Sequence, residues 1–260
     1  MWNTDVSFEE RSISLPAGKL SFFVGGSGPC VVPIHGAGGC KLSPAIRQLA
    51  VHFRLVAPII PGFDGTEQSP QMETVRDVAD IVAELIGREC DGRASVIGHS
   101  LGGHVASWLA VRHGARVRSL LLMCSAGFRK PGTRPTGDTS KLLYAHPERV
   151  PPASSADKWN ATNQSIAARY RGESSMDTPL LDRLSEIHCP VLLVHGASDQ
   201  LMPIESSQRI KSRLPQAEMV LIPDAGHVID VDQPEIYLRV VRDFLIRTQK
   251  PETGSAVSSH

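Results

Sequence analysis

The sequence predicts a doubly wound, mostly parallel α/β sheet with a small helical lid inserted late in the chain, and three observations carry that prediction. Short apolar runs recur along the chain, amphipathic helical patterns separate them, and between Gly127 and Asp177 this rhythm breaks. Strands covered by helices on both faces read as continuous apolar runs, and their alternation with helices marks a layered α/β architecture.

The elements follow in order. Residues 6–15 and 19–24 are strand-like and close enough in sequence to begin the sheet as a hairpin. Apolar runs at 30–34, 55–60, 94–97, 117–123, 191–194 and 219–222 supply the remaining strands. The helical pattern over 74–86 places Val75, Val78, Ala79, Val82, Leu85 and Ile86 on one face, and 101–111 and 234–246 show similar spacing. Right-handed crossovers would gather the strand-to-helix loops at the carboxyl edge of the sheet, where such folds bind ligands.

The break reads as loop over 129–138, rich in Pro, Gly, Thr and Arg, and again at Pro151-Pro152, while 155–170 carries Trp159, Ile166 and Tyr170 at helical spacing. The expected organisation is therefore a core of residues 1–126 and 181–250, a helical lid of 127–180, and a polar, unpatterned tail of 251–260 that should be disordered. Basic residues outnumber acidic ones in the lid, which would suit a carboxylate-bearing substrate or simply mark a solvated helix face.

A 260-residue chain can bury a sizeable core as one domain. Lys plus Arg and Asp plus Glu both number 27, so no overall field favours nucleic acid or anionic lipid. Residues 1–17 alternate charged and apolar positions without a continuous apolar stretch, which predicts neither a signal peptide nor a membrane span, and hence a cytoplasmic protein, monomer or homodimer. Cys30, Cys40, Cys90, Cys124 and Cys189 are odd in number and lack paired spacing, as expected of reduced thiols without a metal site. Glycosylation-like triplets at Asn160 and Asn163 are chance matches on this reading.

The chemistry concentrates in three loops. The strand at 94–97 runs into Gly98-His99-Ser100-Leu101-Gly102-Gly103 and then a helix, the context of a nucleophile elbow. A turn that sharp needs Gly98 and Gly102 for room, and it would raise the Ser100 hydroxyl above the sheet beside a positive helix end. A helix-capping serine with packing glycines is the plainer alternative, and the agreement of strand, turn and helix favours the elbow.

A serine hydroxyl is a weak nucleophile and needs a base that titrates near neutrality, which points to histidine. Among the ten histidines, His227 follows the last strand and precedes the terminal helix, whereas His99 and His104 read as structural and His52, His113, His146 and His188 lie away from the converging loops. The imidazole needs a carboxylate to hold its tautomer and offset its charge, and Asp199, after the strand at 191–194, enters from the same edge; a partnerless turn aspartate is the alternative. Asp224 and Asp230 flank His227 too closely in sequence to be first choice. Oxyanion donors would be the N–H of Leu101 and one from His35-Gly36-Ala37-Gly38-Gly39, Ala37 first and Gly38 next. That loop lacks dinucleotide-binding spacing, since position 41 is Lys41. No cofactor is expected.

With these residues in place the chain resembles the lid-bearing α/β-hydrolases related to carboxylesterases and meta-cleavage-product hydrolases, from Lys19 to about Phe244. His35-Gly36, Pro61-Gly62-Phe63, the Gly98–Gly103 elbow, His195-Gly196 with Asp199, and Gly226-His227 stand in that family's order. The resemblance implies Ser100 as nucleophile, Asp199 as acid, His227 as base, and an oxyanion hole from Ala37 and Leu101. Two departures stand out: Asp64 replaces a common glycine in the loop after Phe63, and Val228 follows the histidine where carbon–carbon-cleaving members usually carry Trp. Epoxide- and halide-processing relatives use Asp at the elbow, so Ser100 argues against those activities.

Three functions follow for a small-molecule substrate: hydrolysis of an ester, lactone or amide through an acyl-enzyme, hydrolytic carbon–carbon cleavage in a dioxo acid, or ligand binding on a fold that lost turnover. The first asks only for the groups named above. The second demands extra positioning groups, for which Arg129, Lys130 and Arg169 are the candidates.

Overall fold

Eight strands form one sheet in the order β1-β2-β4-β3-β5-β6-β7-β8, in a computed structural model that describes residues 6–16, 18–133, 135, 142–150 and 158–249. The strands are β1 (Phe8–Leu15), β2 (Gly18–Gly25), β3 (Cys30–Ile34), β4 (Arg54–Pro58), β5 (Ala94–His99), β6 (Val117–Met123), β7 (Val191–Gly196) and β8 (Glu218–Ile222). The first two pair as the expected hairpin and join β4 antiparallel; every pairing from β4 through β8 is parallel. The expected tail at 251–260 and residues 134, 136–141 and 151–157 of the expected lid lie outside the described residues.

Side chains of successive strand residues point to opposite faces, so each buried strand feeds two cores. In β7, Val191 and Leu193 join the cluster that includes α2 (Val75–Glu89) and α3 (Leu101–Arg112), while Leu192 and Val194 join the one under α1 (Pro44–Leu49) and α8 (Pro234–Gln249). All six apolar positions read on the face of α2 are buried. That helix starts at Val75 because Thr74 caps it, its hydroxyl accepting the Asp77 N–H while the Asp77 carboxylate accepts the Thr74 N–H at 2.8 Å.

Between β6 and β7, α4 (Asn160–Arg171) lies on the loop after β4. Ile166 packs against Gly62, the Trp159 ring covers Gly65, and Tyr170 donates its hydroxyl to the Pro61 carbonyl at 2.9 Å. The three residues set at helical spacing are thus packing residues. Asn163 is fully buried, which suits a chance triplet better than a glycan acceptor.

Asp177 ties the next helix, α5 (Thr178–Arg183), to the core. Its carboxylate accepts the His104 Nε2–H at 2.8 Å, the Trp108 Nε1–H at 2.7 Å and the Leu180 N–H at 3.0 Å. Burial would raise this carboxyl, but the three hydrogen bonds outweigh it and hold it at about 2. A depressed carboxyl contributes stability that is complete at neutral pH and lost as pH falls, here between about pH 4 and pH 2. We expect urea midpoints of Asp177→Asn to be lower than wild type at pH 7 and to converge with it toward pH 2; parallel curves would show that Asp177 contributes nothing to the acid limb.

One expectation is corrected. Cys30 and Cys90 form a disulfide, with Cα atoms 5.5 Å apart, while Cys40, Cys124 and Cys189 are free. No local spacing signals this pair, because Cys30 opens β3 and Cys90 caps α2, and they meet only when the helix packs back on the sheet.

Candidate active site

Parallel strands in register present their carboxyl ends together. Ile34 of β3 lies beside Gly98 of β5, His99 beside Met123 of β6, Met123 beside Val194 of β7, and Gly196 beside Ile222 of β8. Ala37, Ser100, Asp199 and His227 all stand in loops that leave these ends.

Ser100 adopts φ 52°, ψ −113°, a conformation that an L-residue holds only when its surroundings impose it. Its N–H donates to the Met123 carbonyl at 3.0 Å, and its carbonyl accepts the N–H groups of Gly103, His104 and Ala126. A side chain at Gly102 would collide with the Ile34 carbonyl, and one at Gly98 with the Gly102 carbonyl and Ala106. The elbow is therefore built from backbone contacts that only these glycines permit. Because α3 begins at Leu101, the N–H of Leu101 has no acceptor one turn back in the helix.

Asp199 and His227 are brought together. The His227 Nδ1–H donates to Asp199 Oδ2 at 2.8 Å, and both side chains are almost wholly buried. The other oxygen of Asp199 accepts the N–H groups of Leu201 at 2.9 Å and Met202 at 2.8 Å. Burial alone would raise this carboxyl, but the His227 hydrogen bond and charge, the Met202 N–H and the Cys124 thiol hold it below its ordinary value. Asp230, by contrast, is turned toward Ser43 and burial pushes its carboxyl up, and Asp224 pairs with His146 at 2.7 Å. Neither competes with Asp199.

The loop at 35–39 is held at both ends. His35 donates Nδ1–H to the Gly36 carbonyl at 2.7 Å and accepts the Ile60 N–H on Nε2 at 3.0 Å, and burial keeps it in the neutral form that this pattern requires. The Gly39 N–H also donates to Gly36 O, at 3.2 Å. In a trans peptide the carbonyl and the following N–H point in opposite directions, so fixing Gly36 O from two sides aims the Ala37 N–H the other way.

The backbone of the His227 loop is equally constrained. The Leu143 carbonyl accepts the N–H groups of His227 at 2.9 Å and Val228 at 3.1 Å. Buried Asp232 accepts from Gly226 at 2.7 Å and from Ala145 and His146 at 2.9 Å. Cys124, His195 and Asp199 bring a thiol, an imidazole and a carboxylate within 4.8 Å. His195 is committed to Ser207 at 2.9 Å and the Met202 carbonyl at 3.1 Å, while burial keeps Cys124 a thiol that hydrogen-bonds Asp199, so Cys124 braces the carboxylate and His195 holds the loop beside it.

The family model described as the alpha/beta hydrolase family matches residues 31–240. This chain belongs to the alpha/beta hydrolase family. Over 94% of its length it is 25% identical to a 2-hydroxy-6-oxo-6-(2'-aminophenyl)hexa-2,4-dienoic acid hydrolase of Metapseudomonas resinovorans, of which 93% is covered. Over 85% it is 27% identical to a pimeloyl-[acyl-carrier protein] methyl ester esterase of Chromobacterium violaceum, covering 95% of that protein. The crystal structure of a membrane phospholipase A superposes with a TM-score of 0.76 at 26% identity, covering 94% of this chain and 87% of the other. Among the described residues no helix is long and apolar enough to cross a membrane.

In this alpha/beta hydrolase several further residues hold the candidate site together. His99, read as structural, packs its ring 4.9 Å from that of His227 and donates Nε2–H to the His227 carbonyl at 2.9 Å. Burial, with the charge of His227, pushes His99 down to about 3, so it stays a neutral prop. The elbow position beside Ser100 was its available signal. The roles of Cys124, Asp232 and Leu143 rest on thiol and backbone contacts that carry no residue pattern.

Proposed function

We propose that this hydrolase cleaves a small-molecule ester, lactone or amide through an acyl-enzyme, with Ser100 as nucleophile, His227 as base, Asp199 as acid, and the N–H groups of Ala37 and Leu101 as oxyanion donors. The observation that carries the proposal is the His227–Asp199 hydrogen bond at the sheet edge where Ser100 is held in its strained turn. With Nδ1–H given to Asp199, the His227 lone pair sits on Nε2, ready to accept the Ser100 proton as Oγ attacks the carbonyl carbon. The tetrahedral oxyanion is stabilised by the two backbone donors. Its collapse breaks the bond to the alcohol or amine, which takes the proton from His227. Water then attacks the acyl-enzyme, giving a proton to His227, and release of the acid returns that proton to Ser100.

In this reading the described residues of 127–180 form the lid over a core drawn from the described residues of 1–126 and 181–250, and the protein works in the cytoplasm as a monomer or homodimer without a cofactor. The lid cations favour acyl transfer over carbon–carbon cleavage. Arg129 is buried with its guanidinium on the Leu201 carbonyl and the Met202 sulfur, Arg169 bonds the Met72 carbonyl, and Lys130 is exposed. Two of the three groups that could orient a dioxo acid thus hold backbone carbonyls. The named relatives include both an ester hydrolase and a dienoic acid hydrolase, so the preference rests on the site.

The test compares kcat/KM for p-nitrophenyl esters, lactones and amides with that for a vinylogous 1,5-diketo acid. We expect the best ester or lactone to lead by about a hundredfold, since a substrate without its positioning groups forfeits orientation. An equal lead for the diketo acid would reverse the reaction type, and no turnover of any ester would favour a binding protein.

A further inference from the structure

Asp64, the residue that departs from the family pattern, sits where three parts of the site meet. Its Oδ2 accepts the Cys40 N–H at 2.7 Å, at the end of the loop that carries Ala37. Its Oδ1 accepts Nδ2–H of Asn163, from α4, at 2.8 Å, and its own N–H donates to Asn163 Oδ1 at 2.9 Å. The pairing is reciprocal, and Asn163 is fully buried. Gly39, at φ +90°, leaves the space this junction needs, because a side chain there would run into both the Asp64 carboxylate and the Asn163 amide. The next residue of α4, Gln164, reaches the Ala37 carbonyl at 3.3 Å.

Asp64 itself lies at φ 53°, where glycine would be unstrained. A side chain retained in that conformation, with its carboxylate accepting from one loop and one helix, is there for those contacts and not for the turn. The same turn bond that aims the Ala37 N–H, Gly39 N–H to Gly36 O, lies immediately before the Cys40 N–H that Asp64 holds.

We propose that Asp64 is a positioning residue for the oxyanion hole, which couples the seating of α4 on the core to the geometry of the Ala37 loop. Donors act on the oxyanion only when they are preorganised at its position, so loosening this anchor lowers transition-state stabilisation while leaving ground-state binding nearly unchanged. The proposal rests on the acyl-enzyme reading of the site.

The decisive variant is Asp64→Gly, which suits the left-handed turn and removes only the carboxylate. We expect a modestly lower melting temperature, since the two lost hydrogen bonds and the unpaired buried Asn163 amide outweigh the relieved turn strain, with the variant still folded at assay temperature, while kcat falls about tenfold to thirtyfold and KM stays within about threefold, as expected for a displaced donor. The rate of labelling by a fluorophosphonate should fall with kcat. Asn163→Ala should show a similar loss, and the double variant Asp64→Gly/Asn163→Ala should be little worse than either alone, because the residues act as a unit. The exchanged pair Asp64→Asn/Asn163→Asp can remake every hydrogen bond of the junction and should recover kcat to within about threefold. A labelled wild type whose Asp64→Gly variant keeps its kcat overturns this proposal alone. A wild type that resists the fluorophosphonate overturns the acyl-enzyme reading and the proposal with it.

Discussion

Ser100→Ala is expected to abolish labelling by an organophosphonate and to reduce ester turnover by about five to six orders of magnitude, the scale on which a lone nucleophile deletion removes the covalent route. Alanine leaves the backbone of the elbow as it is, because the left-handed conformation is imposed by the bonds to Met123, Gly103, His104 and Ala126 and not by the hydroxyl. The variant should therefore fold with near-wild-type stability, and its inactivity would report chemistry. Ser100→Gly supplies the complementary measurement: glycine relieves the strain of φ 52°, so it should raise stability by about 1 kcal/mol while remaining as inactive as the alanine variant. Labelling of Ser100→Ala at the wild-type rate would move the nucleophile elsewhere and undo the proposed function.

The strands were legible because burial on both faces removes the polar alternation that would otherwise blur them. Residues 30–34 and 117–123 coincide with β3 and β6, and the other runs miss their strands by one or two residues at the ends, where buried residues such as Ile59, Ile60 and His195 make hydropathy a poor guide to where the strand pairing stops. The edge strand β8 read as apolar although Leu221 is among the exposed large hydrophobics. Short or polar helices were not legible. The helix α1 spans only Pro44–Leu49, too short for a period to register, and α6 (Ile204–Arg213) buries two serines and a single isoleucine.

At the site, residue types with a chemical signature were readable and those acting through the backbone were not. Ser100 was marked by its glycines, and Asp199 and His227 by their places after β7 and β8. Leu143, whose carbonyl holds the His227 loop, has no such mark, since any residue offers a carbonyl. The lid cations carried a charge signal that admitted a substrate contact or a solvated face, and Arg129 is neither, being buried and folded against the loop that follows Asp199. A guanidinium under the Asp199 loop holds that loop by shape and hydrogen bonding, and composition cannot separate that use from ligand binding.

The proposed acid provides the second large effect. Asp199→Asn is expected to leave the fold intact and lower kcat by about three to four orders of magnitude, and the surroundings of the carboxylate say why. One oxygen accepts two backbone N–H groups, from Leu201 and Met202, while the other accepts the His227 Nδ1–H. An amide has a single acceptor oxygen, and turning its NH2 toward Leu201 and Met202 would set donors against donors in a buried space. The oxygen therefore stays on the backbone side and the NH2 faces His227. The imidazole can then satisfy it only by presenting an unprotonated Nδ1, which moves the ring proton to Nε2 and removes the lone pair that should receive the Ser100 proton. The loss also includes the charge that offsets the imidazolium in the transition state. Steady-state kinetics on the purified variant check this, with the nitrogen-15 spectrum of His227 reading the tautomer directly. Turnover within about tenfold of wild type would contradict the expected loss, and so assign the acid's role to a different carboxylate.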